Sequence, residues 1–233
     1  MKTLKQIVRS TLVALTLSVA LSGCLKKSDE PQPQLRISGL CLIHASPTTE
    51  KIDVYLNQTK VSGIDFAYKD KIDYLNAYSG DRQISMSKKG LSASLKMQNI
   101  HLKPQTGYSL FLIDKLNTIS FLLLTDTLTK PIVGKAKIRF VNLSPDAGAL
   151  NLAIEGVAGD LVTDKLFKEY SAFKSINPAE RVMFIVKNKT SGLTETVLHN
   201  VKIEADKVYT FWVKGLKNDT NDFSLGASIY QHK

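Results

Sequence analysis

The chain has 233 residues, 43% of them hydrophobic and 22% charged, a composition that suits a folded globular protein and argues against a disordered one. Its 31 Lys and Arg outnumber 21 Asp and Glu, but no run of clustered arginines with interleaved aromatics is present, which argues against specific nucleic-acid binding. Two cysteines, Cys24 and Cys41, are too few for a disulfide-stapled scaffold.

In chain order, residues 1–23 read as a cleaved secretion leader. Lys2, Lys5 and Arg9 precede an apolar run from Leu12 to Leu21 that no acid interrupts. That run is about half the ~20 residues a membrane-spanning helix needs, so it reads as a signal and not as a permanent span. Leu21-Ser22-Gly23-Cys24 resembles the lipobox of bacterial lipoproteins. The resemblance implies a diacylglycerol on the Cys24 sulfur, cleavage just before it and acylation of the freed amine. Two or three chains would hold the protein to a membrane firmly, since each buried methylene contributes about 0.8 kcal/mol. The alternative is an ordinary signal with an incidental cysteine, or an uncleaved anchor.

Residues 24–35 then form the lipidated cysteine and a tether, polar and interrupted by Pro31 and Pro33. Its eleven residues after Cys24 reach at most roughly 36 Å. Leucine at position 25 implies, by resemblance to Gram-negative sorting rules, the outer membrane. Lys27-Ser28-Asp29-Glu30 resembles an acidic surface-export signal and equally reads as a solvated spacer. Without the leader, 28 Lys and Arg face 21 acids, a net charge of +7 spread evenly along the chain. This mild excess suits attraction to acidic glycans or lipid headgroups, and equally an ordinary solvated surface.

The remaining sequence repeats itself. Leu40 to Pro47 matches Ile138 to Pro145, and Ile52 to Leu56 matches Leu150 to Ile154, both at a spacing of 98. Tyr74 to Arg82 answers Phe173 to Arg181, Asn99 to Leu102 answers Asn200 to Ile203, and Tyr108 pairs with Tyr209. Such a period indicates two tandem domains, 36–130 and 134–233. Within each, apolar residues alternate with polar ones, as in Ile52, Val54, Leu56 and in Leu150, Leu152, Ile154. Period two predicts strands with one buried face. Tyr108 to Ile113 and Val208 to Val213 are apolar throughout and predict strands covered on both faces. Breaks such as Ser46-Pro47, Pro104 to Gly107 and Lys217 to Asp222 supply turns, and Leu161 to Tyr170 predicts one short helix. The expectation is an all-β chain of two sandwiches with about seven strands each.

His44-Ala45-Ser46-Pro47, Ile52 to Tyr55, Leu122 to Asp126 and Gly134 to Ala147 resemble a domain of unknown function, DUF4397. The resemblance implies an exported bacterial protein with tandem immunoglobulin-like β-sandwich copies, and it carries no catalytic residues. The second copy departs from the pattern at Asn142, Leu143 and Asn151. Asp126-Thr127-Leu128 resembles a short O-glycosylation motif of Bacteroidetes proteins and equally reads as the connection between the domains.

Candidate chemistry is sparse. His44 and Ser46 share a strand face about 6.6 Å apart, with Asp53 as a third member, but no glycine-flanked nucleophile turn accompanies them. Asp53 and Asp73 are loose candidates for paired carboxylates. His44, His101, His199 and His232 fall singly on different segments, without zinc spacing, and Asn218 to Asp222 lacks the twelve-residue calcium pattern. Cys41 reads as a small packed residue, with a reactive thiol or an intermolecular bridge as the alternatives. No catalytic residue, metal or cofactor is therefore predicted. The functional expectation is a non-catalytic binding or structural module of the cell envelope, held by lipid on Cys24 at the outer membrane or cell surface. Its partner would be a glycan or another envelope protein. The alternative is an extracellular glycan-processing enzyme or other hydrolase.

Overall fold

The computed structural model describes residues 36–63 and 65–232; the leader, Cys24 and the tether lie outside these residues. The first half forms β1 (Ile37–His44), β2 (Ile52–Leu56), β3 (Thr59–Lys60), β4 (Lys71–Tyr78), β5 (Gly80–Lys88), β6 (Ser94–Leu102), β7 (Gly107–Ile113) and β8 (Ser120–Asp126). The second forms β9 (Ala136–Asn142), β10 (Leu150–Ile154), β11 (Asp160–Lys165), β12 (Lys174–Ile176), β13 (Ala179–Asn188), β14 (Thr194–Ile203), β15 (Val208–Lys214) and β16 (Gly226–Gln231). Sheets of order β4-β1-β7-β8 and β3-β2-β5-β6 make one sandwich, and β12-β9-β15-β16 and β11-β10-β13-β14 make the other. The order is the same with eight added, down to the parallel pairing of β1 with β7 and of β9 with β15.

Each half thus holds eight strands, not seven, because the two-residue β3 and the three-residue β12 are too short to register as alternation in the sequence. The helix expected over Leu161 to Tyr170 is absent. Asp160–Lys165 pairs with β10, burying Val162, and Asp164 and Lys168 take positive φ values that a right-handed helix forbids. Among the described residues the only helical piece is a 3-10 turn at Leu116–Thr118.

Alternation decides which residues fill which core. Leu40 and Leu42 of β1, with Tyr108, Leu110 and Leu112 of β7, face Ile52, Val54, Ile84 and Met86 of the opposite sheet. Ile138 and Phe140 of β9, with Tyr209, Phe211 and Val213 of β15, face Leu150, Leu152, Phe184 and Val186. The intervening positions of the same strands point the other way and meet one another. Cys41, Ile43, Phe111, Ile113 and Leu124 of the first sandwich pack with Val141, Leu143, Trp212 and Tyr230 of the second. This third core explains why β7 and β15 are apolar on both faces: the four sheets form four layers. Phe111 and Trp212, at corresponding places in β7 and β15, meet with ring centroids 6.3 Å apart.

Gly39, Gly107 and Asp126 lie side by side across the first sheet, so the chain enters at Arg36 and leaves after Asp126 at one end, here termed the base. Ala136 at the start of β9 and His232 after β16 lie at the corresponding end of the second sandwich. At the opposite end Tyr68 of one sandwich meets Phe223 of the other edge to face. There Gly215 (φ +83°) turns the chain out of β15, and a Cβ at this position would lie 2.3 Å from the Ser224 carbonyl oxygen. Gly215→Ala combines a left-handed backbone with a clash against main chain and is expected to cost about 3 kcal/mol, read as a lowered midpoint in thermal unfolding.

Candidate functional site

The outward faces of β1, β7, β9 and β15 are largely apolar, and they carry a buried polar cluster in which both sandwiches take part. Asp126 ends β8, and Arg139 lies in β9 with 2% of its surface exposed. The Arg139 Nη2 donates to Asp126 Oδ1 at 2.7 Å and to the Thr210 hydroxyl at 3.1 Å, while Nη1 donates to the Thr125 carbonyl at 3.2 Å. The guanidinium lies 4.9 Å from the centre of the Phe173 ring. Asp126 Oδ2 accepts from the Tyr74 hydroxyl at 2.6 Å and from the Ser109 hydroxyl at 2.7 Å.

The remaining protons follow from that assignment. Tyr74 has given its hydrogen to Asp126, so at 2.7 Å it accepts from His232 Nδ1–H. His232 Nε2 then accepts from the Thr210 hydroxyl at 2.8 Å, whose oxygen accepts from Arg139. Ser109 has likewise given its hydrogen away, so the Tyr230 hydroxyl donates to it at 2.9 Å. A neutral His232 fits this chain. Burial lowers its pKa to about 4, Asp126 opposing and Arg139 and Lys71 adding to the fall. Burial also pushes the Tyr74 and Tyr230 phenols up, and the Asp126 carboxylate reinforces it. The cluster is a clamp: its carboxylate and guanidinium neutralise each other, and nearly every donor and acceptor is matched within the protein.

The residues singled out from the sequence are not assembled into a reactive centre. His44 is fully buried against Phe66, neither ring nitrogen has a hydrogen-bond partner, and burial lowers its pKa to about 4 against the opposing pull of Asp70. Ser46 donates to the Asp114 carbonyl at 2.6 Å, and Asp53 is paired with Lys60 and accepts from the Gly90 amide. Asp73 pairs with Lys71 on β4. Asn142, which stands where the first sandwich has His44, donates to the Gly148 and Lys165 carbonyls and accepts from the Ser144 amide, so it ties loops together.

Cys41 is buried in the third core with its thiol pushed up to about 12 by burial, which makes it a packing residue. His101 sits exposed beside Asp81, and His232 belongs to the clamp. In the Asn218 to Asp222 loop, Asp219 accepts from the Asn221 amide and Asn221 from the Phe223 amide, which is turn capping. Among the described residues no group of three or more His, Cys, Asp or Glu is placed to hold a metal. Thr127 is exposed, next to the sealed Asp126. Cys24 lies outside the described residues. The clamp itself went unpredicted, although an arginine in a strand flanked by apolar neighbours, where the first copy has Cys41, was its signal.

Clefts open at the base. One of about 370 Å³ lies at the end of the second sandwich, with Ile154, Leu161, Ile176, Val182 and Met183 on its walls and Lys135, Glu155 and Arg181 beside them. A second groove runs along Gly39, Tyr74, Gly107 and Leu128. Both are apolar floors with a few polar groups, the chemistry of a binding surface.

Among solved structures the chain is similar to the C-terminal domain of AlgF from P. aeruginosa, at 21% identity over 42% of this chain and 99% of that one, with a TM-score of 0.32. It is also similar to a family 26 carbohydrate-binding module of Eubacterium rectale Amy13K (12% identity, 84% of this chain and 97% of that one, TM-score 0.28). The fimbrial anchor protein Mfa2 of Porphyromonas gingivalis is similar at 9% identity over 84% and 97% of the two chains, with a TM-score of 0.25. No curated protein matches. Residues 38–153, which span the first sandwich and reach into β10 of the second, match the domain of unknown function DUF4397.

Proposed function

We propose that the protein is a cell-envelope lipoprotein, anchored through Cys24 at the outer membrane or cell surface, that acts as a non-catalytic binding or structural module built from two tandem copies of the DUF4397 unit. The observation that carries this reading is the clamp. The buried ion pair of Asp126 and Arg139 fastens one sandwich to the other across a buried, mostly apolar interface, so the pair acts as one stiff body. A rigid body on a short tether suits holding or presenting a partner, a glycan or another envelope protein. His44, Ser46 and Asp53, the residues that would have served a hydrolase, are each engaged elsewhere or sealed.

Three measurements test it. Cys24→Ala is expected to abolish labelling of the protein by a radiolabelled or clickable fatty acid and to shift it from the membrane to the soluble fraction; labelling that persists would sink the anchor. Capture from intact cells with the tagged protein is expected to enrich an envelope component. Turnover of a polysaccharide or ester by the purified protein, lost on changing Asp53 or Asp73, would instead favour the hydrolase.

A further inference from the structure

The connector between the sandwiches, from Thr127 to Lys135, carries a feature that the clamp does not need. Ile132 to Lys135 form a tight turn in which the Lys135 amide donates to the Ile132 carbonyl at 2.9 Å and Gly134 takes φ +74°. The turn holds its apolar residues outward: Val133 is 87% exposed and Ile132 68%. Lys130 and Lys135 flank them in the sequence. The turn is fixed, because Pro131 is buried, Lys135 Nζ bonds Asn177 at 2.5 Å and Lys137 Nζ bonds Thr129 at 2.7 Å. Val157, also exposed, lines the 370 Å³ cleft together with Lys135, the last residue of the turn. Exposed apolar residues at the opposite end, such as Leu91 and Leu193, fall singly on separate hairpin turns.

The place of the turn points to its occupant. The connector leaves β8 at the base, beside the point where the chain enters at Arg36, and Leu128 of the connector lies against Gly107, next in register to Gly39. Eleven residues separate Arg36 from Cys24, so a lipid on Cys24 would keep the base within roughly 36 Å of a bilayer. Two β-branched apolar residues between lysines suit the boundary of a membrane, with the side chains in the acyl region and the ammonium groups among anionic headgroups. We propose that the connector turn is a lipid-contacting surface that seats the base of the protein on an anionic bilayer. This deepens the proposed function and rests on its reading of Cys24.

The test uses the chain from residue 25 to 233, which lacks any acyl group but contains every described residue of both sandwiches. Vesicles of one part phosphatidylglycerol to three of phosphatidylethanolamine are expected to bind it about tenfold more tightly than phosphatidylcholine vesicles, in a salt-sensitive manner. The pair Ile132→Asp and Val133→Asp is expected to remove that binding while leaving the circular dichroism spectrum and unfolding midpoint in place. Leu91→Asp and Leu193→Asp, at the opposite end, are expected to leave it unchanged. Absence of vesicle binding, equal binding to neutral vesicles, equal loss from the distal variants or dependence of a dimer on Val133 would each overturn the proposal. Failure of Cys24 acylation would overturn the anchor but not this binding, since the chain tested carries no lipid.

Discussion

Asp126→Ala is expected to cost about 3–5 kcal/mol of folding stability, the largest effect of any single substitution described here. The carboxylate is fully buried and accepts from Arg139, Tyr74 and Ser109 at once. Truncating it leaves a guanidinium, 2% exposed, with no compensating charge and two hydroxyls without their acceptor. The side chain cannot swing to water, because Phe173, the third core and the Thr210 hydroxyl enclose it. Urea unfolding followed by circular dichroism measures the loss. Emission of Trp212, the single tryptophan of the chain, reports on the interface, where the residue is buried against Phe111. Loss of less than about 1 kcal/mol would show that water or a shifted side chain compensates Arg139.

The same pair provides its own control. Removing both charges, as Asp126→Leu with Arg139→Met, eliminates the uncompensated guanidinium and is expected to recover most of what the single substitution loses, since buried pairs are often replaceable by apolar residues of similar volume. The clamp is therefore better described as fixing which faces meet than as adding stability outright. Ser109 and Thr210 occupy corresponding places in β7 and β15, paired with Cys41 and Arg139 respectively. The two faces are built on corresponding strands but with different side chains, Phe111 in the place of Trp212 and Leu124 in that of Tyr230, and apolar contact alone lets such faces slide or rotate. One off-centre ion pair admits a single arrangement.

Much of this architecture is legible in the sequence because it obeys local rules. Alternation at Ile52 to Leu56 and Leu150 to Ile154 marks β2 and β10, and the spacing of 98 to 101 residues foreshadows the shared strand order. The unbroken apolar runs of β7 and β15 indicate that both faces are covered, but not by what. A third core between the sandwiches depends on which surfaces come together, and alternation within one strand carries no such information. The error at Leu161 to Tyr170 has a local cause, since apolar residues at helical spacing outweighed the left-handed conformations of Asp164 and Lys168. The catalytic suspicion at His44 and Ser46 failed for a different reason. Two residues on the same face of one strand need not share a cavity, and here His44 is sealed in the core while Ser46 turns to the Asp114 carbonyl.

Stability is expected to fall steeply as pH drops from about 6.5 to about 4, because the fold holds two histidines neutral. His44 and His232 both have pKa values lowered to about 4 from 6.5, first through burial. In the unfolded chain they take up protons near pH 6.5, so between the two values the unfolded state binds more protons than the folded one. Their contribution is therefore fully present above pH 6.5 and is lost as pH falls toward 4, at up to roughly 1.4 kcal/mol per pH unit for each residue and about 3 kcal/mol each in total. His232 resists protonation because its Nε2 already accepts from Thr210 and because Arg139 and Lys71 are near, the Asp126 carboxylate 3.9 Å away opposing them. His44 resists because it is buried and neither ring nitrogen has a hydrogen-bond partner to steady an imidazolium, while Asp70 and a backbone hydrogen bond pull the other way. Asp53, lowered by Lys60 and the Gly90 amide against the upward push of its own burial, titrates below this window and does not confuse the reading. His44→Asn, which installs the residue that the second sandwich carries at Asn142, is expected to halve the slope of unfolding free energy against pH in this range. An unchanged slope in that variant, or a flat profile in the unsubstituted protein, would mean that the sealed imidazoles find protons or water in the folded state.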